Sequence, residues 1–528
     1  MAKQLCYRRE RHRYRHMGKQ MGSEKLGSFY TGKKARKRRE WRGVRDTFYD
    51  YLQWLRIWGV LIGFAAKPNN VKAFFRYRWM VNYLVVPDFF DRHTEGMRGS
   101  QLRITHTALS IVVIDMCKAM TRMFRADPNI GNDEKLRKKM VLFDENMMSE
   151  IMNGFPNLIW TSVEVPAVYT CAMMVQDGVV HYTDAAQTYG IPSDVCPMPL
   201  AELGVALEDD YPRIGACAVH CNTTCDGSLM GNSIEGQYFG IPTFELAVPI
   251  RHTYESVEPY AVEEIQNCIA FIEKHTGETF DWNAFFKSME LFNTETQNML
   301  DWFEISRTKY PQMIGTNLAL YRYCVYQATG GRYEVFRKVE QKINRYVQRG
   351  YERKELVCRE IRHRAITWGV QSAYYTAFTV WLQNCWGVAS LVDMLSLCST
   401  RMVDTQNKEQ ALKDLAYLYG KMIMRSRSNG GYEVGVEDLW RFCESFDVDV
   451  VIMYCHMGCK AMSGYHGLFE EEARKHGIHL IWVNHNLMKP EDASRRDMRM
   501  EVNRYMRTVF REEPLDASLE DFDDGNNW

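Results

Sequence analysis

The feature that most constrains the fold is a strand, cysteine loop, helix and strand pattern that occurs twice. In the first copy, "GACAVH" leads into "NTTCDG", a helical segment "SLMGNSIEGQYFG" and the strand segment "PTFELAVP". In the second copy, "DVDVVIMY" leads into "CHMGCKAMSGY", then "LFEEEARKHG" and "GIHLIWV". Strands that alternate with helices are typical of a parallel sheet. The repetition therefore predicts an α/β protein with two parallel-sheet domains.

The remaining patterns divide the chain into five regions. Helical spacing of apolar residues dominates the segments before and between the two predicted sheets. We predict two flavodoxin-like domains, joined by a helical connector and preceded by a helical, basic N-terminal extension. The predicted regions are a basic arm and helical extension (1–150), a first α/β domain (151–256), a helical connector (257–363), a second α/β domain (364–511) and an acidic tail (512–528).

The charge distribution bears on partners and compartment. Formal net charge is +0, with "KKARKRREWR" near the start and "EEPLDASLEDFDDGNN" at the end. Nothing in this balance points to nucleic acid, and the basic arm is predicted to be solvated or bound to a partner. No apolar signal core follows the early arginines, and the longer apolar runs are too short or too interrupted to span a bilayer. We expect a cytoplasmic protein with no membrane span.

The 15 cysteines favour metal ligation, redox chemistry or simple burial in a reducing compartment. Cys217, Cys221 and Cys225 recur at every fourth residue, which is loosely compatible with zinc spacing. However, "NTTCDG" is typical of a turn, so a continuous helix aligning the three thiols is not expected. Cys217 is predicted to face the core from a strand. The residues alone leave a metal site and buried thiols both open.

Four segments, taken in order, resemble the 2-hydroxyacyl-CoA dehydratase and benzoyl-CoA reductase family. The first two are "WTSVEVPAVYTCAM" and "GIPSDVCPMPLAELG". The others are "NTTCDG" with "GIPTFELAVP", and "MYCHMGCKAMSGY" with "GIHLIWVN". The resemblance covers about residues 158–510 and is closest to the large, cluster-bearing subunit of the 2-hydroxyglutaryl-CoA dehydratase type.

The resemblance implies a ligand set and a reaction. Cys196, Cys225 and Cys459 would hold one [4Fe–4S] cluster, leaving one iron open for the carbonyl of a CoA thioester. One-electron reduction of that carbonyl would give a ketyl radical, which expels the α-hydroxyl and makes the β-hydrogen acidic. The implied partners are a homologous second subunit in a hetero-oligomer and an ATP-hydrolysing activator with its own [4Fe–4S] cluster. The implied activity is that of a 2-hydroxyacyl-CoA dehydratase-like lyase.

Other polar residues near these motifs are candidates for catalysis. Glu164 follows a predicted strand and can face the cleft as a polar residue. Ser463, after the third cysteine, can hydrogen-bond substrate or cluster sulfur, and His456, before it, can act as an acid or base. The alternatives are an edge-strand carboxylate and ordinary loop residues. Cys221 and Cys455 each precede a proposed ligand by four residues, which leaves a fourth ligand and a buried thiol both open.

Departures from the family pattern keep other functions open. After "IHLIWV" the family usually has an acidic stretch, whereas this chain has Asn484, Asn486 and Lys489. One alternative is a benzoyl-CoA-reductase-type reductive subunit. Another is a non-catalytic electron-relay or structural paralogue in a larger iron–sulfur complex. A third is a zinc-binding α/β protein that uses the cysteines from Cys217 to Cys225.

Overall fold

The structure is a computed structural model of the chain. It describes residues 42–143, 149–221, 225–249, 256–315, 333–397, 401–422, 426–427 and 430–522. Residues 1–41, which include most of the predicted basic arm, lie outside the described residues. The last six residues of the predicted acidic tail also lie outside them.

The first sheet has four parallel strands in the spatial order β2-β1-β3-β4. The strands are β1 (Met140–Phe143), β2 (Ile159–Thr161), β3 (Cys217–Cys221) and β4 (Thr243–Leu246). Three of them fall in segments that the sequence marks as strands. The strand β1 was not predicted, and it lies before residue 151, where we predicted that the first α/β domain begins.

The second sheet repeats this topology. Its strands are β5 (His363–Trp368), β6 (Val388–Asp393), β7 (Val450–His456) and β8 (His479–His485). They are parallel and lie in the order β6-β5-β7-β8, so each sheet has its second strand outermost and its first strand beside its third. This is the flavodoxin-like order, and the predicted fold class is confirmed.

Helices surround both sheets and form the N-terminal region. Before and within the first domain lie α1 (Val44–Ala65), α2 (Pro68–Arg76), α3 (Val86–His93), α4 (Gly99–Ala126), α5 (Glu134–Arg137), α6 (Thr170–Met174), α7 (Val180–Thr188), α8 (Pro197–Leu207) and α9 (Asp226–Phe239). Between the sheets, the described residues form the helices α10 (Val257–Thr276), α11 (Trp282–Ser306) and α12 (Tyr333–Glu352). Within the described part of the second domain, the helices are α13 (Phe378–Trp386), α14 (Lys408–Gly420), α15 (Tyr432–Ser445), α16 (Lys460–Gly464), α17 (His466–His476) and α18 (Arg495–Tyr505).

The core lies between the sheets and the helices that cover them. The strands β1, β3 and β6 are buried at every residue, as expected for parallel strands with helices on both faces. The helix α4 is long and apolar enough to cross a membrane by length and composition, but 72% of its most apolar window is buried inside the protein. Its apolar character is therefore explained by packing within the fold.

The two copies of the repeated pattern end their helices in the same way. The helix α9 ends at Gly240 (φ 61°) and α17 ends at Gly477 (φ 67°), both left-handed. Glycine adopts this conformation without the steric cost of a β-carbon. In each copy an isoleucine follows and the chain then enters the outer strand, β4 or β8. The local duplication seen in the sequence is thus a duplication of structure.

Candidate functional site

Three cysteines lie where a loop meets the start of a helix. Cys196 is the N-cap of α8, Cys225 is the N-cap of α9 and Cys459 is the N-cap of α16. Cys225 follows β3 and Cys459 follows β7, which occupy equivalent places in the two sheets. Both cysteines therefore lie at the carboxyl edge of a parallel sheet, the edge where open α/β folds bind ligands. We call this set the junction cysteines (Cys196, Cys225 and Cys459).

The junction cysteines approach one another, and this proximity affects their protonation. Burial raises the pKa of the Cys196 thiol well above its ordinary value, and nearby charge on Cys225 and Cys459 would raise it further. Burial and the charge of Cys225 likewise raise the pKa of Cys459. Backbone N–H groups of Met198 and Met462 act in the opposite direction on Cys196 and Cys459 respectively. The backbone thus supplies donors for thiolates that burial and mutual repulsion disfavour.

Close packing of the two loops brings the first and second domains together here. A β-carbon added to Gly458 would lie 3.1 Å from Cα of Cys196 and 3.2 Å from Cδ of Pro197. On the outer side, Nζ of Lys460 lies 3.2 Å from a carboxylate oxygen of Asp194. Because Gly458 has no side chain, the two loops meet with backbone against backbone.

His456 lies directly under this junction and is buried. Its Nε2 is 3.3 Å from Sγ of Cys196. Its Nδ1 accepts hydrogen bonds from the backbone N–H groups of Gly458 and Leu487, each at 3.3 Å. The ring stacks on that of His485, with centroids 5.5 Å apart, and burial lowers the pKa of His456 to about 4. The structure therefore holds this imidazole neutral, with its N–H directed at the sulfur.

Ser463 and Cys455 form a pair beside Cys459. Burial raises the pKa of Cys455, as do the charges of Glu501 and Cys459, whereas a hydrogen bond from the Ser463 side chain lowers it. The Cys455 side chain is partly buried near the end of β7, and Ser463 is exposed on α16. Ser463, predicted as a catalytic residue, thus contacts the neighbouring thiol, and its role in catalysis stays a prediction.

Glu164 lies at the carboxyl edge of the first sheet. It is buried, accepts a hydrogen bond from the Ser162 hydroxyl and precedes a π-helical turn (Val165–Tyr169) that packs against α8. His220 of β3 is buried near it. Burial lowers the pKa of His220 to about 4, and the Glu164 charge opposes that shift. This proximity of a buried carboxylate to a buried imidazole was not predicted, and the catalytic role of Glu164 stays a prediction.

A second group of three cysteines lies elsewhere. Cys217 and Cys221 of β3 contact the same apolar core as Cys268 of α10, and all three are fully buried. Burial raises the pKa of Cys268 well above its ordinary value, and negative charge on Cys221 or Cys217 would raise it further. We call these the core cysteines (Cys217, Cys221 and Cys268). The four-residue spacing that suggested zinc therefore joins two core thiols to one junction thiol, Cys225.

Within the described residues, no group of three or more His, Cys, Asp or Glu side chains lies close enough to hold a metal ion. The thiolate ligands of a cubane cluster bind different iron atoms, so they stand farther apart than ligands that surround one ion. The junction cysteines fit this description: three thiols from three separate loops lie near enough for charge on one to raise the pKa of another, and backbone N–H groups act on two of them. Their chemistry fits a [4Fe–4S] cluster better than it fits one zinc ion.

Several site residues had no sequence signal. Gly458 is required by the approach of a loop that is distant in the sequence. Ser228, whose Oγ is 3.7 Å from Sγ of Cys225, is an ordinary residue of the first helical turn. His220 follows Val219 in a strand that is buried at every residue, and only the folded protein brings it near Glu164. The regular period of a strand could have placed His220 on the face opposite Cys217 and Cys221.

Fold and site together define a class: a two-domain α/β protein in which two sheet edges and a loop between two helices bring three thiols to one junction. The model of the family described as "2-hydroxyglutaryl-CoA dehydratase, D-component" matches residues 153–503. Because this match covers more than half of the chain and contains the junction cysteines, the chain belongs to that family. It is therefore a dehydratase-type component, and its family implies a hetero-oligomeric system with a partner subunit. No curated protein matches the chain.

Proposed function

We propose that this chain is the [4Fe–4S] subunit of an ATP-activated radical 2-hydroxyacyl-CoA dehydratase. It would act in the cytoplasm on a CoA thioester, with a homologous second subunit and an ATP-hydrolysing activator that carries its own [4Fe–4S] cluster. The observation that carries the proposal is the convergence of the junction cysteines from two domains. Membership of a dehydratase family supports the acyl-CoA substrate class and the lyase reaction.

The junction cysteines would hold the cluster, and each has a distinct support. Three thiolate ligands leave one of four irons without a protein ligand, as a catalytic metal site requires. When bound, the cluster supplies one electron to the thioester carbonyl of the substrate. Ser228 contacts the sulfur of Cys225, and the backbone N–H groups at the starts of α8 and α16 support Cys196 and Cys459.

The protein around the cluster would position the substrate and exclude water. Glu164 is buried near His220 and is held by Ser162, so it is preorganised as a polar group at the sheet edge. Ser463 is exposed beside the junction, where it is accessible to a ligand. Two backbone N–H groups donate to Nδ1 of His456, so its proton belongs on Nε2, which lies 3.3 Å from the Cys196 sulfur. These placements support the candidate roles that we assign to Glu164, Ser463 and His456.

The decisive experiment compares two cysteines that are four residues apart. After anaerobic purification, we expect about four iron and four sulfide per wild-type chain. Cys225→Ala should reduce the iron content to background, because a junction ligand is lost. Cys221→Ala should retain the cluster, because Cys221 packs in the core of the first domain. Zinc without sulfide in the wild type, or equal loss of iron in both variants, would contradict the proposal.

One observation favours a second function, that of a non-catalytic electron-relay or structural paralogue. Cys455 lies near Cys459, and a fourth thiolate ligand would close the open iron. In that case Cys455→Ala would change the electron paramagnetic resonance (EPR) spectrum of the reduced cluster, and adding acyl-CoA to the wild type would not. Product analysis with 2-hydroxyacyl-CoA and with benzoyl-CoA, in the presence of activator and partner subunit, separates dehydration from ring reduction.

A further inference from the structure

We propose that His456 is a positioning residue that donates a hydrogen bond from Nε2 to the Cys196 sulfur and thereby raises the reduction potential of the cluster. The inference rests on the proposed function, because it requires a cluster at the junction cysteines. It assigns His456 a role different from the acid or base that the sequence suggested. It also means that a residue of the second domain, His456, changes the electronic properties of a cluster ligand from the first domain, Cys196.

The position of the proton on His456 follows from its neighbours. Two backbone N–H groups, of Gly458 and Leu487, point at Nδ1, so this nitrogen must present its lone pair. A neutral imidazole carries its one proton on the other nitrogen. That nitrogen, Nε2, is 3.3 Å from Sγ of Cys196. The contact is therefore a hydrogen bond from imidazole to sulfur, with the donor fixed by the backbone.

The ring has little freedom to abandon this bond. His456 is the last residue of β7, where it pairs in register with His485 of β8. The two imidazoles stack, and both are buried. A β-carbon on Gly458 would lie only 3.0 Å from Cε1 of His456, so the following loop packs against the ring edge. Rotation about the side chain would break both backbone hydrogen bonds and the stacking contact.

A hydrogen bond of this kind changes the energetics of electron transfer. Reduction adds one negative charge, which is spread over the cluster and its sulfur ligands. A donor that points at a ligand sulfur stabilises the more negative, reduced state more than the oxidised state. Hydrogen bonds to sulfur are among the factors that set iron–sulfur potentials. Loss of the Nε2 donor should therefore make the potential more negative and the cluster harder to reduce.

Two matched variants separate the hydrogen bond from the shape of the side chain. In His456→Asn the amide takes the place of Nδ1 and can still accept from the backbone, but it does not reach the Cys196 sulfur. In His456→Gln the terminal NH₂ takes the place of Nε2 and can still donate to that sulfur. The midpoint potential is measured by EPR-monitored redox titration of the anaerobically purified chain, after iron and sulfide have been counted.

The expected result is a clear shift to more negative potential in His456→Asn and a much smaller shift in His456→Gln. An unchanged potential in His456→Asn, or equal shifts in both variants, would overturn the inference. Should a variant fail to fold, electron–nuclear double resonance on the wild type labelled with ¹⁵N-histidine gives a second test. We expect a weak ¹⁵N coupling to the reduced cluster, and its absence would overturn the inference. Absence of iron from the wild type would instead reject the proposed function itself.

Discussion

The core cysteines and the junction cysteines differ in what their positions can support. The core cysteines are fully buried among apolar side chains on one side of the first sheet. The junction cysteines are partly buried, each begins a helix, and they come from both domains. Residues four apart in a strand share a face, whereas residues in loops after parallel strands meet at the sheet edge. Proximity in the sequence therefore does not identify the neighbours of Cys225.

The two groups of cysteines also differ in what acts on the pKa of a buried thiol. Burial raises the pKa of Cys217 to about 12, and it also raises the pKa of Cys459. For Cys217, burial is the cause of the raised pKa. For Cys459, backbone N–H groups of Ala461 and Met462 favour the thiolate. A buried thiol becomes a credible metal ligand where the fold supplies such donors.

The largest expected effect comes from separating the two loops at the junction. In Gly458→Val, the new side chain would lie against Cα of Cys196 and the ring of His456. Overpacking of this kind costs about 1–3 kcal/mol and would push Cys196 away from Cys459. We expect iron content to fall to background while circular dichroism shows a folded chain.

Gly464 provides the control, because nothing lies within 4 Å of a β-carbon added there. Gly464→Val, in the same short helix region, should retain the iron of the wild type. If Gly458→Val bound as much iron as Gly464→Val, the close approach of the two loops would not be needed for the site.

An effect of intermediate size is expected from substituting one core cysteine and one junction cysteine. The first should lower stability and the second should lower iron content. Cys217→Ser places a hydroxyl in the apolar core, which we expect to lower the free energy of unfolding by about 1–3 kcal/mol. Iron bound per folded chain should be unchanged. Cys196→Ala should do the opposite, with loss of iron and a smaller change in the urea unfolding of the cluster-free protein. Equal stability losses in both variants would remove the distinction between the groups.

The smallest effect is expected at the rim of the junction. Lys460 and Asp194 form an ion pair in which both side chains are 68% exposed. Such pairs contribute about 0–1 kcal/mol and are screened by salt. Lys460→Ala should therefore change urea unfolding by less than about 1 kcal/mol and leave iron content intact. A large loss of iron would show that the outer contact, rather than the glycine contact, holds the loops together.

Most of the fold was predictable because its signals are local. Seven of the eight strands in the described residues coincide with segments that the alternation of apolar runs and turns marks as strands. The strand β1 was missed because "MVLF" is only four residues long and follows a charged helix without a glycine or proline to separate them. Such a strand is specified by its partners β2 and β3, which lie beyond it in the chain.

The candidate site also combines features set by local sequence signals with features set by long-range contacts. The chain's own periodicity determined two α/β domains, a repeated cysteine loop and the placement of Cys225 and Cys459 after equivalent strands. The tertiary structure decided which thiols approach one another, that Nε2 of His456 lies 3.3 Å from the Cys196 sulfur, and that Cys221 packs in the core. The physical reason is the distance along the chain over which each kind of interaction acts. Hydrophobic period and turn chemistry act over a few residues, whereas a site between domains depends on contacts such as that of Gly458 with Cys196, which join segments far apart in the chain.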